Sequence, residues 1–182
     1  MTEPKSASVY DLAHEAEPES LATFAVLVDN EPGVLHRVVG LFAARGYNIE
    51  SLTVAETDRN AHTSRITIVT RGTAQVLAQI EAQLQKMVST RHVQDVTRDP
   101  NGLERELALV KVRGAGPERV EALRVSEIFR ARVIDITLES LVFELTGAPS
   151  KIDSFIDLMR PLGLVEVSRT GVLSISRGVE VF

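Results

Sequence analysis

A strand-to-helix junction near the start of the sequence carries the residues whose types and spacing best suit a ligand site. Asn30 ends a strand-like run, Pro32 and Gly33 follow, and Val34 and Leu35 are the first apolar residues of a helix pattern. Pro32 suits the first helical turn, and the amides of the next three residues are expected to be unpaired at the positive end of the helix. Because Gly33 lacks a Cβ, an anion can approach this backbone closely. The junction therefore predicts an anion site.

Two asparagine side chains extend this prediction from an anion to a zwitterion. Asn30 ends the first strand, and Asn48, followed by Ile49, begins the second. An amide oxygen beside an anion pocket suits an ammonium group, so an amino acid fits better than phosphate. The simpler interpretation is that Asn30 and the Pro32-Gly33 pair only form a turn and a helix cap, and residue types alone favour it slightly.

The elements that position these residues follow from the spacing of apolar residues. Alternating apolar residues predict strands, and spacings of three and four predict helices. Gly46 stands where the left-handed C-terminal cap of the first helix is expected, and Thr73 is the expected N-cap of the second. The first half is thus predicted as βαββαβ, with strands over residues 23–30, 47–57, 64–71 and 92–98.

The same order of elements returns after the break Asp99-Pro100-Asn101-Gly102. Strands are predicted over residues 106–112, 132–138 and 141–146 and from residue 164 onward. The second helix of this half is expected to start at a capping-box-like pair, Ser150 with Asp153. The first helix is expected to bury one apolar face, formed by Val120, Leu123, Ile128 and Phe129.

Two βαββαβ units predict an α+β chain with antiparallel sheets. We place one domain at residues 21–99 and the other at 103–182, each of roughly 80 residues, a size that can fold alone. Two helices pack on one face of each sheet, and the other face is left open, which is typical of an interface. Because this architecture hosts many functions, the fold alone does not assign one.

Composition excludes several classes of protein. The chain has 182 residues and no cysteine, which fits a reducing compartment and removes disulfides and thiolate sites. Its apolar runs are far shorter than the roughly 20 residues of a membrane span. Residues 1–20 hold one lysine and five acids, hence −4 of the formal net charge of −5, and are expected to be a disordered acidic tail rather than a targeting signal. The nearly neutral remainder lacks the basic footprint of nucleic-acid binding.

Several segments resemble a known family. The junction Asp29-Asn30-Glu31-Pro32-Gly33-Val34-Leu35 resembles the N-x-x-G-x-L signature of ACT domains, which sense small molecules, chiefly amino acids. More narrowly, Arg45-Gly46-Tyr47-Asn48-Ile49-Glu50-Ser51-Leu52-Thr53-Val54 resembles the regulatory small subunit of acetolactate synthase, also called acetohydroxyacid synthase. Further resemblance lies at residues 64–68, 79–84, 104–107, 127–130 and 176–178. The ordered set covers nearly everything after the tail.

This resemblance implies a fold and a function. Both domains would be ferredoxin-like, the first of them an ACT domain. Members of the family are cytoplasmic and have no catalytic activity or cofactor of their own. They bind and activate a catalytic large subunit that carries thiamine diphosphate, Mg²⁺ and FAD, and they confer feedback inhibition by valine and sometimes by leucine or isoleucine.

The resemblance also implies which residues hold the effector. In this family the effector lies between the ACT domains of a homodimer. The residues carried over are Asn30, Gly33, Val34 and Leu35 from one chain, with Asn48 and Ile49 from its neighbour.

Two alternatives stay open beside this interpretation. One is a free-standing ACT sensor that controls another enzyme or a regulator, and the other is a small enzyme on a ferredoxin-like scaffold. For an enzyme, however, the four histidines are scattered, and neither a Ser-His-Asp set nor a phosphate-binding loop is present. RNA binding on the same fold would require aromatic residues on the central strands, and aromatics are only 4% of the chain.

Overall fold

The computed structural model describes residues 17–58 and 60–179, which form two antiparallel sheets with four α-helices. The first unit consists of β1 (Ser20–Asp29), α1 (Val34–Arg45), β2 (Ser51–Asp58), β3 (Thr63–Gly72), α2 (Ala74–Gln85) and β4 (Thr90–Asp95). A short 3₁₀ turn, Val96–Arg98, leads out of it. The second unit consists of β5 (Gly102–Arg113), α3 (Pro117–Phe129), β6 (Arg132–Ile136), β7 (Ser140–Gly147), α4 (Pro149–Met159), β8 (Leu164–Arg169) and β9 (Leu173–Ser176).

The strand orders confirm the ferredoxin-like βαββαβ pattern in both halves. They are β2-β3-β1-β4 in the first sheet and β6-β7-β5-β8 in the second, with β9 paired to the start of β5. In the first sheet Phe24 and Val26 of β1 lie opposite Ile68 and Ile66 of β3, and all four are fully buried against the helices. Phe143 and Phe155 pack edge to face in the second core. Most of the predicted acidic tail lies outside the described residues, and β1 begins at its last residue, Ser20.

Helix ends test the predicted caps. Gly46 ends α1 in the left-handed conformation, with φ 68°, and Thr73 Oγ1 accepts a hydrogen bond from the backbone amide of Val76 at 3.4 Å, so both predicted caps are confirmed. The predicted capping box at Ser150 is wrong. Pro149 is the first residue of α4 because its fixed φ and missing N–H suit that position, which leaves Ser150 inside the helix.

The predicted apolar face of α3 is wrong for Val120 and Ile128, whereas Leu123 and Phe129 are partly buried and pack against the second core. Val120 is 59% exposed and Ile128 is 77% exposed, whereas Ala122, Val125 and Ser126 are buried. At 100° per residue these three buried positions lie within one narrow sector, whereas the four predicted residues are spread around the helix. Small residues therefore mark the buried stripe, and the size of the apolar side chains misled the prediction.

The open face of the first sheet is covered by the second half of the chain. Thr23, Ala25 and Thr67 lie on the face opposite the helices, and each is at most 4% exposed. A two-stranded ribbon, the start of β5 paired with β9, crosses this side of the sheet. It contacts β2 at one edge through Val172 and β4 at the other, where Gln94 approaches Ser176. This face is therefore partly an internal contact of the chain.

Candidate functional site

The strand-to-helix junction is built around a left-handed glycine. Gly33 is the N-cap of α1, with φ 85° and ψ −3°. A Cβ added there would meet only Arg37 Nη1, at 3.8 Å, so the space in front of this residue is open. Pro32 lies in the turn before the cap, so the prediction that it stands in the first helical turn is wrong. The positive φ at Gly33 turns the chain into the helix, and few side chains tolerate it.

The helix N-terminus offers fewer free amides than expected. The amide of Val34 donates to the carbonyl of Glu31 at 3.3 Å, so it is not the unpaired donor that was predicted. The amides of Gly33 and Leu35 have no acceptor among the described residues. Two donors therefore remain for an anion at the positive end of α1, where the helix dipole also favours negative charge.

Arg37 is a residue that the sequence interpretation missed. Its Nη2 donates to Glu31 Oε1 and to Ser89 Oγ, the latter at 2.6 Å, and Ser89 Oγ donates to the same glutamate oxygen at 2.5 Å. Its Nη1 is the atom closest to the open space at Gly33. The spacing of four residues between Gly33 and Arg37 could have indicated this, because such residues lie on one side of a helix. The cation adds to the attraction of the site for an anion.

The two asparagines present their amide oxygens. Asn30 Nδ2 donates to Glu56 Oε1 at 3.3 Å, and Asn48 Nδ2 donates to Glu50 Oε1 at 2.9 Å. Neither Oδ1 accepts a hydrogen bond from a described residue. Thr70 Oγ1 donates to the Asn48 carbonyl at 2.6 Å and fixes the backbone there. Each side chain can therefore accept a hydrogen bond from an ammonium group.

The predicted site residues are not together within one chain. Ser51, at the start of β2, lies in the same row of the sheet as Thr23 of β1. Asn30 lies seven residues beyond Thr23, which at the rise of a strand is about 24 Å. Asn48 precedes Ser51 and so lies at the opposite end of the sheet from Asn30. Within one chain the candidate residues therefore fall into two separate groups, one at Asn30 and Gly33 and one at Asn48, which we call the two candidate half-sites.

The remaining predicted residues divide between core and surface. Val34 is 7% exposed and belongs to the core, so its side chain stabilises the junction. Leu35, 39% exposed, lies on the accessible side of α1. Ile49 is partly buried and packs against the same core. One accessible aliphatic side chain thus accompanies the half-site at Gly33, and one partly accessible aliphatic side chain accompanies that at Asn48.

Other polar clusters are structural. A cleft of about 580 Å³ lies between β4 and the end of β9. At its wall Asp99 accepts from the backbone amide of Asn101 and the hydroxyl of Ser176, both at 2.8 Å, and from Gln94 at 3.0 Å. These hydrogen bonds, that of Asn101 foremost, lower the pKa of Asp99, so the carboxylate is held by its neighbours. In the described part of the chain no side-chain group is arranged to hold a metal ion, and no helix there is long and apolar enough to span a membrane.

Comparisons with known proteins agree in both halves. Residues 24–92 match the family model described as the AHAS small subunit-like ACT domain, and residues 105–178 match that of the small subunit of acetolactate synthase. The chain is 46% identical to the probable acetolactate synthase small subunit of Archaeoglobus fulgidus, over 86% of this chain and 96% of the relative. Identity and coverage are the same for the acetolactate synthase isozyme 3 small subunit of Escherichia coli.

A solved structure agrees with these matches. The crystal structure of the acetolactate synthase small subunit from Thermotoga maritima resembles this one with a TM-score of 0.77 and 38% identity, over 88% of this chain and 99% of that one. Its fold is therefore shared along nearly the whole length of both chains. The chain belongs to the family of acetolactate synthase small subunits.

Proposed function

We propose that this chain is the regulatory subunit of a cytoplasmic acetolactate synthase. It binds and activates the catalytic subunit, and it makes that enzyme sensitive to a branched-chain amino acid, valine first, bound between two copies of the chain. The observation that carries the proposal is the position of the two half-sites at opposite ends of an edge strand. A single chain leaves both incomplete, and a two-fold dimer would complete both.

Pairing of two β2 strands would bring the half-sites together. β2 is an edge of the first sheet, and its two ends lie near Asn48 and near Asn30, the latter through Glu56. When two such edges pair antiparallel about a two-fold axis, the start of one strand lies beside the end of the other. Asn48 of one chain would then lie near Asn30 and Gly33 of its partner, in two equivalent sites.

The chemistry of the combined site suits a small aliphatic amino acid. The effector carboxylate would accept from the amides of Gly33 and Leu35, with Arg37 as the nearby cation. The ammonium group would donate to Asn48 Oδ1 of the second chain. The aliphatic side chain would lie between Leu35 and Ile49. Leu35 and Ile49 offer no hydrogen-bond partner to a hydroxyl on the effector side chain, which favours valine over serine.

Catalysis in the proposed complex belongs to the large subunit. Thiamine diphosphate, Mg²⁺ and FAD are expected to be bound there, and this chain is proposed to contribute regulation alone. The purified chain should therefore not consume 2-oxo acids, and turnover by the chain alone would contradict the proposal. If it bound a branched-chain amino acid but failed to copurify with the catalytic subunit, it would instead be a free-standing sensor.

The substitution Gly33→Asp tests the effector site. It places a carboxylate in the space assigned to the effector carboxylate, so the valine concentration needed for half-maximal inhibition should rise by about tenfold or more. Activation of the catalytic subunit should be kept. The measurement is the activity of the reconstituted complex across a valine titration, together with calorimetry using valine, leucine, isoleucine, serine and phenylalanine. Preference for phenylalanine would contradict the branched-chain assignment.

Two control variants separate charge from strain. Gly33→Asn has the same left-handed backbone requirement as Gly33→Asp without the charge, and asparagine tolerates positive φ. Gly40→Asp places the same charge on α1 in open space, seven residues further along. Gly33→Asp should weaken the response to valine more than either control variant does. Equal responses in all three variants would mean that the carboxylate does not bind at Gly33.

A further inference from the structure

The backbone just before β9 is held by two hydroxyl groups of β2. Thr53 Oγ1 donates to the carbonyl of Val172 at 2.6 Å, and the amide of Val172 donates to Ser51 Oγ at 3.1 Å. Val172 is only 6% exposed, so both bonds are shielded from water. The amide and the carbonyl of Val172 are thus bound by Ser51 and Thr53, two alternate residues of β2. The backbone at Val172 therefore cannot slide along β2 without losing both hydrogen bonds.

A glycine makes this approach possible. Gly171 has φ 84°, and a Cβ added to it would lie 2.6 Å from Ser51 Oγ and 3.5 Å from Thr53 Oγ1. Any larger residue would therefore push the segment away from β2 as well as strain the backbone. We call this contact the clasp. It consists of Ser51 and Thr53 on one side and of Gly171 and Val172 on the other.

The clasp adjoins one half-site. Ser51 follows Asn48 by three residues, and the segment between them is bound to β3, since Glu50 N donates to the Val69 carbonyl at 2.8 Å. Asn48 is thus joined to Ser51 of the clasp by a short segment of backbone that is hydrogen-bonded to β3.

The other side of the clasp continues into the second sheet. Thr170 N donates to the Leu107 carbonyl at 3.0 Å, and Leu107 N donates to Thr170 Oγ1 at 3.1 Å. Leu107 lies in β5, the strand that pairs with β7 and β8. Backbone and hydrogen bonds therefore run without a gap from Asn48 to the centre of the second sheet.

We propose that Ser51 and Thr53 are positioning residues for the effector half-site, which they join through the clasp to the second half of the chain. They do not contact the effector. They hold the Asn48 end of β2 against Gly171 and Val172, so that effector binding changes the strain or position of the second half and thereby the extent of inhibition. A ligand shifts the equilibrium between two conformations of the chain only through the difference in its affinity for them. The clasp makes that difference depend on the second half of the chain. The inference rests on the proposed effector function.

Substitutions at Thr53 test the clasp without altering its shape. Thr53→Val keeps the volume and removes the donor, whereas Thr53→Ser keeps the hydroxyl. In the reconstituted complex, maximal inhibition at saturating valine should fall in Thr53→Val to roughly half of the parent's value. In Thr53→Ser it should return to the parent's value. Thr57→Val is the matched control, because that hydroxyl lies on the same strand and contacts Thr63 within the first half.

Hydrogen exchange supplies a readout that stability alone would not change. Addition of valine to the parent chain should slow exchange at the amide of Val172, and this effect should be lost in Thr53→Val while Thr57→Val behaves like the parent. Thermal unfolding verifies that each variant is folded. If Thr53→Val does not fold, Ser51→Ala takes its place in both measurements.

The outcomes separate the two proposals. If the parent complex shows no response to any branched-chain amino acid, the proposed function fails and the positioning role fails with it. If the parent responds and Thr53→Val shows the same maximal inhibition and the same protection of Val172, the positioning role is overturned and the proposed function stands. If Thr57→Val lost as much inhibition as Thr53→Val, the positioning role would also be overturned.

Discussion

An ion pair around the buried carboxylate of Glu106 contributes to the stability of the second half. Arg169 Nε and Nη2 donate to the two carboxylate oxygens of Glu106, at 2.8 and 2.5 Å, and Nη1 donates to Asp153 at 2.7 Å. The Glu106 side chain is 3% exposed and that of Arg169 is 35% exposed. The hydrogen bonds to Glu106 raise the pKa of Arg169 above its ordinary value against the opposing effect of burial, and the single hydrogen bond to Asp153 adds to the rise. We predict that Arg169→Met strongly destabilises the fold.

The magnitude follows from the burial of Glu106. Removing one partner of a fully buried pair costs about 3–5 kcal/mol because a charge is left without donors. Arg169 is a third exposed, so water can reach part of the vacated space, and we expect about 2–3 kcal/mol. For a chain of this size that lowers the midpoint of thermal unfolding by roughly 4–12 °C. Equilibrium denaturation in urea, followed by circular dichroism, measures the free energy directly.

Two further variants decide whether the cause is the buried charge. Arg160→Met removes a pair with Asp157 in which both side chains are about two-thirds exposed, and it should cost about 0.5 kcal/mol or less. The double variant Arg169→Met with Glu106→Leu should recover most of the loss, because it removes the unpaired carboxylate. If Arg169→Met cost no more than Arg160→Met, or if the double variant were the least stable, the argument from burial would be refuted.

Two predictions concern the effector site. Asn48→Ala should weaken valine binding by about 1–3 kcal/mol, since an ammonium donor loses its acceptor, and equal affinity by calorimetry would remove Asn48 from the site. Arg37→Met should lower valine affinity and weaken its dependence on salt, because the cation beside Gly33 is lost. Lys86→Met is the control, because Lys86 lines the same surface pocket as Arg37. A change in Arg37→Met no larger than in that control would exclude Arg37 as the counter-charge.

The order of the elements could be predicted from the sequence because local signals agree with the fold. In β1 the alternation of Phe24, Val26 and Val28 matches a face that is fully buried, and in α1 the residues Val34 and Phe42 match the buried stripe. Gly46 and Thr73 end and begin helices through contacts with their nearest neighbours in sequence. Such signals need no knowledge of the rest of the chain.

The features that escaped prediction depend on distant contacts. β9 has only four residues, and it pairs with the start of β5 about 70 residues earlier, so no local period marks it. Ala122 and Ser126 are buried because α4 and the second sheet approach closely, which selects small residues. The cover that the ribbon gives to the first sheet is of the same kind, because it depends on where the second half lies.

Residue type and resemblance propose Asn30, Gly33 and Asn48 for the candidate site, but they do not give its geometry. Their separation along the sheet follows only from the register, which places Ser51 opposite Val69 and thus beside Thr23. Arg37 could have been found from its spacing to Gly33, but its contact with Ser89, 52 residues later, could not. The register also gives the proposal of a shared site its physical reason.

The duplicated architecture leads to a last prediction, on the number of effectors bound. In the second half Gly116 is the N-cap of α3, with φ 60°, but Arg113 stands where the first half has Asn30. The Arg119 guanidinium there donates to the carbonyl of Thr137 at 2.7 Å and to that of Leu138 at 3.4 Å, so it closes this helix start against the neighbouring hairpin.

The helix start of the second half therefore lacks the accepting amide of the first half, and its Arg119 guanidinium is bound to the neighbouring hairpin. Calorimetry of the parent chain should give one valine per chain, that is, two per dimer. Gly116→Asp should leave valine affinity within about twofold of the parent, whereas Gly33→Asp reduces it, and a shift of twofold corresponds to about 0.4 kcal/mol. Two valines per chain, with one site surviving Gly33→Asp, would mean that the second half binds effector despite its closed helix start.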